Sequence, residues 1–202
     1  MERIAAILFD WGGVLIDDPG PGLMAYCAEA LDVSVDDYIA AHKRHGDPFQ
    51  KGQIPEGEFW RRVCGDLKRP TPDGGALWGQ AFRAVYSPRP AVFDLSSRLR
   101  APGYKTALLS NTEVAAMELF AELGYDVFDA TVFSCAEGIC KPERQIYEIA
   151  AQKLEVTPAQ CVFIDDKQKF IDGAIAAGMQ GILYEDFGQV CRALSDLGVE
   201  AR

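Results

Sequence analysis

The chain has 202 residues, 49% of them apolar and 25% charged, with a net charge of −10. That is an ordinary globular composition, with room for one sizeable core or a core plus a smaller insert. The acidic balance argues against a nucleic-acid backbone or an anionic membrane as the main partner, while a small anionic substrate needs only a local cation.

Ile4 to Phe9 is an unbroken apolar run, the signature of a parallel strand buried on both faces. It ends in Asp10, then Trp11-Gly12-Gly13, where glycine lets a ligand approach the backbone. Residues 17–88 carry helical patterns near Leu23–Leu31, Val35–His45, Glu56–Leu67 and Ala76–Tyr86, punctuated by Pro19, Pro21, Pro48, Pro55, Pro70 and Pro72. From residue 89 strands and helices alternate. A helix near Ala91–Leu99 leads through Pro102-Gly103 to a strand at Lys105–Ser110, then a helix at Glu113–Leu123 with Gly124 as its cap. The strand Ala130–Phe133, the helix Glu143–Leu154 and the strand Cys161–Ile164 follow. A helix near Phe170–Ala177, a strand at Gly181–Tyr184 and a helix near Phe187–Leu197 finish the chain.

This order predicts an α/β fold: a Rossmann-like parallel sheet with helices on both faces, plus a helical cap inserted after the first strand. The core is expected over residues 1–16 and 89–202, and the cap over 17–88. No apolar stretch reaches the roughly 20 residues that span a bilayer. The N-terminus lacks a signal-peptide layout, so a cytoplasmic location is expected. The cysteines at 27, 64, 135, 140, 161 and 191 form no Cys-x-x-Cys pair, and they read as reduced thiols rather than zinc ligands.

Three strand ends and one loop carry chemistry. They supply Asp10; Ser110-Asn111-Thr112; Lys141-Pro142 in the loop before a helix; and Asp165-Asp166. In a parallel sheet these converge on one edge. Taken singly, Ser-Asn-Thr could cap a helix and Lys-Pro could be a surface turn; the ordered set is harder to produce by coincidence. Clustered carboxylates need a cation to stay ionised. All-oxygen ligands suit Mg²⁺, which usually works beside a phosphate. Ser110 and Asn111 can donate to phosphate oxygens, Lys141 is a point charge for a phosphoryl group, and Pro142 fits the first turn of its helix. Asp10 is then free to act as a nucleophile.

At these residues the chain resembles the haloacid dehalogenase-like hydrolase superfamily. The matching segments are Phe9 to Leu15, Leu108 to Thr112, Gly138 to Glu143 and Val162 to Asp166. The insert is similar to the small helical cap of that family. Phe49, Gly52-Gln53-Ile54 and Phe59-Trp60 resemble the branch holding a glucose-1-phosphate phosphatase and the epoxide hydrolase phosphatase domain. The resemblance implies an aspartyl-phosphate mechanism with Asp10 as nucleophile. It implies Mg²⁺ held by Asp10, Asp166 and the Gly12 carbonyl, with Asp165 in the metal shell. It makes Ser110, Asn111 and Lys141 phosphoryl ligands, and a small phosphorylated metabolite, sugar phosphates leading, the partner. It fixes neither the substrate nor an oligomeric state.

Most phosphatases of this superfamily carry a second Asp two residues after the nucleophile, as proton donor. Here Gly12 stands there. General acid catalysis typically contributes about 10²- to 10⁴-fold. Its loss predicts a preference for esters whose leaving group needs little protonation. Asp17 and Asp18 are weaker substitutes for that acid, and are expected to start the cap or lie in solvent. Trp11 is expected to pack beside the nucleophile, His42 and His45 to lie at the surface, and Phe49, Phe59 and Trp60 in the cap core. A 2-haloacid dehalogenase and a catalytically impaired ligand-binding protein are the alternatives. The first needs no metal and no acidic pair, so Asp165-Asp166 argues against it.

Overall fold

The computed structural model describes residues 2–101 and 103–200. Pro102, expected in the turn before the second strand, lies outside the described residues. Strand β1 (Ala6–Phe9) is buried at every position. Ile7 and Phe9 join one apolar layer, and Ala6 and Leu8 the other. This is the two-sided burial that an uninterrupted apolar run demands.

Strands β2 (Lys105–Ser110), β3 (Ala130–Phe133), β4 (Cys161–Asp165) and β5 (Gln180–Leu183) complete a parallel sheet in the order β3-β2-β1-β4-β5. Phe9 lies opposite Leu108 and Ile164. Asp10, Ser110 and Asp165 therefore reach the same edge of the sheet, within about a residue in register.

Four helices, α1 (Gly20–Ala30), α2 (Val35–Gln50), α3 (Glu56–Leu67) and α4 (Leu77–Val85), form the insert after β1. The core adds α5 (Pro90–Arg100), α6 (Val114–Leu123), α7 (Ser134–Glu137), α8 (Arg144–Lys153), α9 (Gln168–Ala176) and α10 (Phe187–Asp196). Helices α5, α6 and α10 pack on the Phe9 face, and α8 and α9 on the Leu8 face. The expected α/β architecture, a parallel sheet covered on both sides, is the one observed.

The insert leaves and rejoins the core at one place. Asp17 N donates to Ser87 O (2.9 Å) and Arg89 N to Leu15 O (2.8 Å). The Arg89 guanidinium ties the two crossings, reaching Asp17 Oδ1 at 2.9 Å and Gly13 O at 2.5 Å. A second contact joins the end of α2 to the core: Ser134 Oγ donates to Gln50 O (2.7 Å), and Lys51 pairs with Glu143 (3.2 Å).

Two local expectations are corrected. Helix α2 runs to Gln50 rather than stopping at His45, continuing through Pro48. Pro48 removes one backbone bond, yet the last turn buries Phe49 and docks Gln50 on the core, and this tertiary contact outweighs the local preference. Pro142 does not sit in the first turn of α8. It precedes the extended Glu143, which is the N-cap. Glu143 Oε1 accepts from Cys140 N (3.2 Å), folding the loop back before the helix begins.

Candidate active site

Lys141 organises the edge of the sheet. Its Nζ lies 2.8 Å from Asp10 Oδ1 and 2.6 Å from Asp165 Oδ2, and its side chain is fully buried. Burial pulls its pKa down, but the charges of Asp10 and Asp165 outweigh this and hold it above the ordinary lysine value. The ammonium also lies 5.1 Å and 4.9 Å from the ring centres of Phe163 and Phe170.

Asn111 places this lysine. Its Nδ2 donates to Lys141 O (3.0 Å) and its Oδ1 accepts from Lys141 N (2.7 Å). Both polar ends of the amide are thus engaged by backbone. Ser110 is buried at the end of β2 and lines the same cavity as Asp10, Gly12 and Lys141.

Oxygens of Asp10, Asp165 and Asp166 all lie within 4.8 Å of one another. Burial, then the charge of Asp10, pushes Asp165 up to about 7, against the pull of Lys141. Asp165 has both oxygens engaged, by Lys141 Nζ and by the Lys167 amide (2.8 Å). Asp166 differs: its Oδ1 is buried with no protein partner. Burial, with help from Asp10 and Asp18, also raises the Asp166 carboxyl. Gly13 makes room for it. Gly13 has φ +87°, and a Cβ there would fall 2.4 Å from the Asp166 carboxylate. An all-oxygen cluster with an unpartnered buried oxygen is a donor set suited to Mg²⁺.

The site opens into a cavity of about 290 Å³. The core contributes Asp10, Ser110, Asn111 and Lys141 to it, and the insert Leu23, Met24, His42, Trp78 and Phe82. All seven residues expected at the site are thus gathered at one edge, though Asp165 and Asp166 lie outside the cavity lining. A side chain at Gly12 would begin 2.9 Å from Pro19 Cδ, so the proline stands where an acid at that position would start.

The lesser candidates divide. Trp11 is buried among Phe82, Tyr86, Phe120 and Phe133, next in sequence to Asp10. Asp17 is held by Ser87 and Arg89 at the chain crossings. Asp18 lines the cavity, with Oδ1 accepting from Gly20 N (3.0 Å). Phe49, Phe59 and Trp60 are buried in the insert, and His45 pairs with Asp66. His42 is not at the surface as expected. It lines the cavity, and burial lowers its pKa to about 4. Tyr38, His42, Gly46 and Phe49 share one face of α2 at helical spacing, a pattern that could have flagged it.

Sequence reasoning missed Glu113 altogether. Its Oε2 accepts from Trp78 Nε1 (2.9 Å) and its Oε1 from Gln50 Nε2 (3.3 Å), joining core to insert. Both partners come from distant segments, so no local signal existed. Burial pushes its carboxyl up to about 7 from an ordinary 4.5. The native state therefore binds this proton more tightly than the unfolded chain. The resulting stabilisation is complete below about pH 4.5 and is lost as pH rises through 7. Glu113→Gln should raise stability at pH 8 by about 2–3 kcal/mol and change it little at pH 4.5. Urea titrations at the two pH values measure this; equal effects at both would contradict it.

The fold defines an α/β protein with a cleft at the carboxyl edge of its parallel sheet, where the candidate residues meet. A family model for haloacid dehalogenase-like hydrolases matches residues 4–178. The chain belongs to that family and is a hydrolase. It is 35% identical to phosphatase MT3486 of Mycobacterium tuberculosis, over 75% of this chain and 73% of that one. It is 32% identical to mouse acyl-CoA dehydrogenase family member 10, over 88% of this chain but only 17% of that protein. Among solved structures, an enzyme of the same family from Bacteroides thetaiotaomicron, in complex with magnesium and inorganic phosphate, superposes with a TM-score of 0.77. That match covers 93% of this chain and 98% of the other at 21% identity, a likeness of fold.

Proposed function

We propose that the chain is a Mg²⁺-dependent phosphatase of small phosphate monoesters. The observation that carries this is Lys141, a buried ammonium bridging Asp10 and Asp165 beside the unpartnered Asp166 oxygen. The tuberculosis phosphatase and the magnesium–phosphate complex of the Bacteroides enzyme support the reading. Asp10, Asp166 and the Gly12 carbonyl would hold the metal, with Asp165 adding its charge. Mg²⁺ would neutralise phosphoryl charge.

In this reading a carboxylate oxygen of Asp10 attacks phosphorus. The P–O bond to the alcohol breaks, and the departing alkoxide takes up a proton from water. Water then attacks the phosphorus of the aspartyl phosphate, restoring Asp10 and releasing inorganic phosphate. Ser110 and Lys141 bind the phosphoryl oxygens. Asn111 acts through the backbone of Lys141 that it grips. The four-helix insert serves as the cap.

Hydrolysis of aryl phosphates with Mg²⁺, abolished by EDTA and restored by added Mg²⁺, is the expected result. Turnover of a 2-haloacid that survives chelation would favour a dehalogenase instead. With no acid at Gly12, rates should rise steeply as the leaving alcohol becomes more acidic, aryl phosphates outrunning simple alkyl phosphates by about 10²-fold or more. A flat series would mean that another group supplies the proton. Gly13→Ala should weaken Mg²⁺ binding at least about tenfold, because its methyl group displaces Asp166. Calorimetric titration reads this directly, and unchanged affinity would remove Asp166 from the metal site.

A further inference from the structure

His42 is held in place but has nothing to hold. Its imidazole stacks on the Trp78 indole, with centroids 5.5 Å apart and planes at 14°. Phe59 abuts it edge-on at 5.6 Å. One turn along α2, Gly46 leaves the ring its space; a Cβ there would lie 2.9 Å from His42 Cε1. Trp78 is itself fixed by its bond to Glu113. The ring is therefore clamped, its Nε2 is buried without a protein partner, and the residue lines the cavity that holds Asp10.

A buried polar atom without a partner is costly, and native proteins rarely leave one unless it has a use. The imidazole is neutral near pH 7, since burial lowers its pKa to about 4. A neutral imidazole nitrogen either donates or accepts, according to tautomer, and a hydroxyl satisfies both cases. Elsewhere the insert wall is mostly apolar, with Leu23, Met24, Trp78 and Phe82, and its polar groups there are Asp18, whose Oδ1 accepts from Gly20 N, and Gln50, whose amide donates to Glu113. The lysines lining the cavity, at 141, 167 and 169, all belong to the core, so the insert offers no cation to a second anionic group. The cavity, at about 290 Å³, lies at the small end of ligand pockets.

We propose that His42 determines leaving-group specificity. Its Nε2 hydrogen-bonds a free hydroxyl on a compact, uncharged alcohol whose phosphate ester sits at Asp10, and the body of the alcohol rests on Leu23, Met24, Trp78 and Phe82. This rests on the phosphatase reading. It narrows the substrate class to monophosphates of small diols and hydroxylated aromatic or aliphatic alcohols.

The test compares phenyl phosphate with 2-, 3- and 4-hydroxyphenyl phosphate, and phenylphosphonate with the matching hydroxyphenylphosphonates as non-hydrolysed probes. The natural protein should favour at least one hydroxylated isomer by about tenfold or more, both in kcat/KM and in calorimetric affinity. His42→Phe should collapse that ratio to within about twofold, and His42→Gln should retain part of it. Gly46→Ala keeps the histidine but crowds its ring, and should also erode the preference. Absence of any hydroxyl preference in the natural protein, or a preference untouched in His42→Phe, would overturn the inference. If no ester is hydrolysed with Mg²⁺, the phosphatase reading fails, and the phosphonate affinities alone then decide the role of His42.

Discussion

Asp10→Asn should reduce kcat on aryl phosphates by about 10⁴-fold or more, while the protein stays folded. Asp10 is buried, and its backbone amide is fixed by Ile164 O at 2.9 Å, so an isosteric amide keeps its place. In the proposed mechanism the nucleophile is lost, since an amide oxygen cannot form the aspartyl phosphate. Lys141 keeps Asp165 at 2.6 Å, so the loop should hold its position. Acid quenching during turnover of a labelled ester should trap phosphoprotein in the natural enzyme and none in the variant. Turnover at the natural rate in the variant would show that the attack comes from elsewhere.

Lys141→Met should be the most destabilising substitution at the site, by about 3–5 kcal/mol. The methionine fits the apolar stem of the lysine between Phe163 and Phe170. It leaves Asp10 and Asp165 facing each other without a counter-charge in a buried setting. Added Mg²⁺ should recover part of the loss, because a divalent cation can neutralise the same carboxylates. Turnover should not recover, since Lys141 also binds the phosphoryl group in this mechanism. Urea titrations with and without Mg²⁺ check both statements. A loss below about 1 kcal/mol would mean that the carboxylates find other partners or take up protons at little cost.

Much of the core was legible because its rules are local. An apolar run in β1 with no polar alternation requires cover on both faces, and its position between β2 and β4 provides it. A carboxylate at the end of such a strand has only the sheet edge to occupy. The same holds for Ser110 and for Asp165, and parallel order then brings these ends together. Pro142 and the end of α2 were misread for the opposite reason. There the local preference of proline competes with docking contacts, Glu143 on Cys140 and Gln50 on Ser134, that lie outside any sequence window.

Sequence by itself picked out the residues that meet at the sheet edge: Asp10, Ser110, Asn111, Lys141 and the Asp165-Asp166 pair, together with Gly12 where an acid would be expected. Period and position at strand ends or helix-leading loops suffice for that, because they depend on the backbone geometry of each segment. Only the tertiary structure decided what each of those groups faces. Asn111 turns to the Lys141 backbone, Asp166 keeps an oxygen free, and Pro19 fills the space beside Gly12. Glu113 and His42 acquired their place only when the insert folded over the sheet edge. Burial there, rather than residue type, raises one carboxyl and neutralises one imidazole, and burial is a property of the assembled fold.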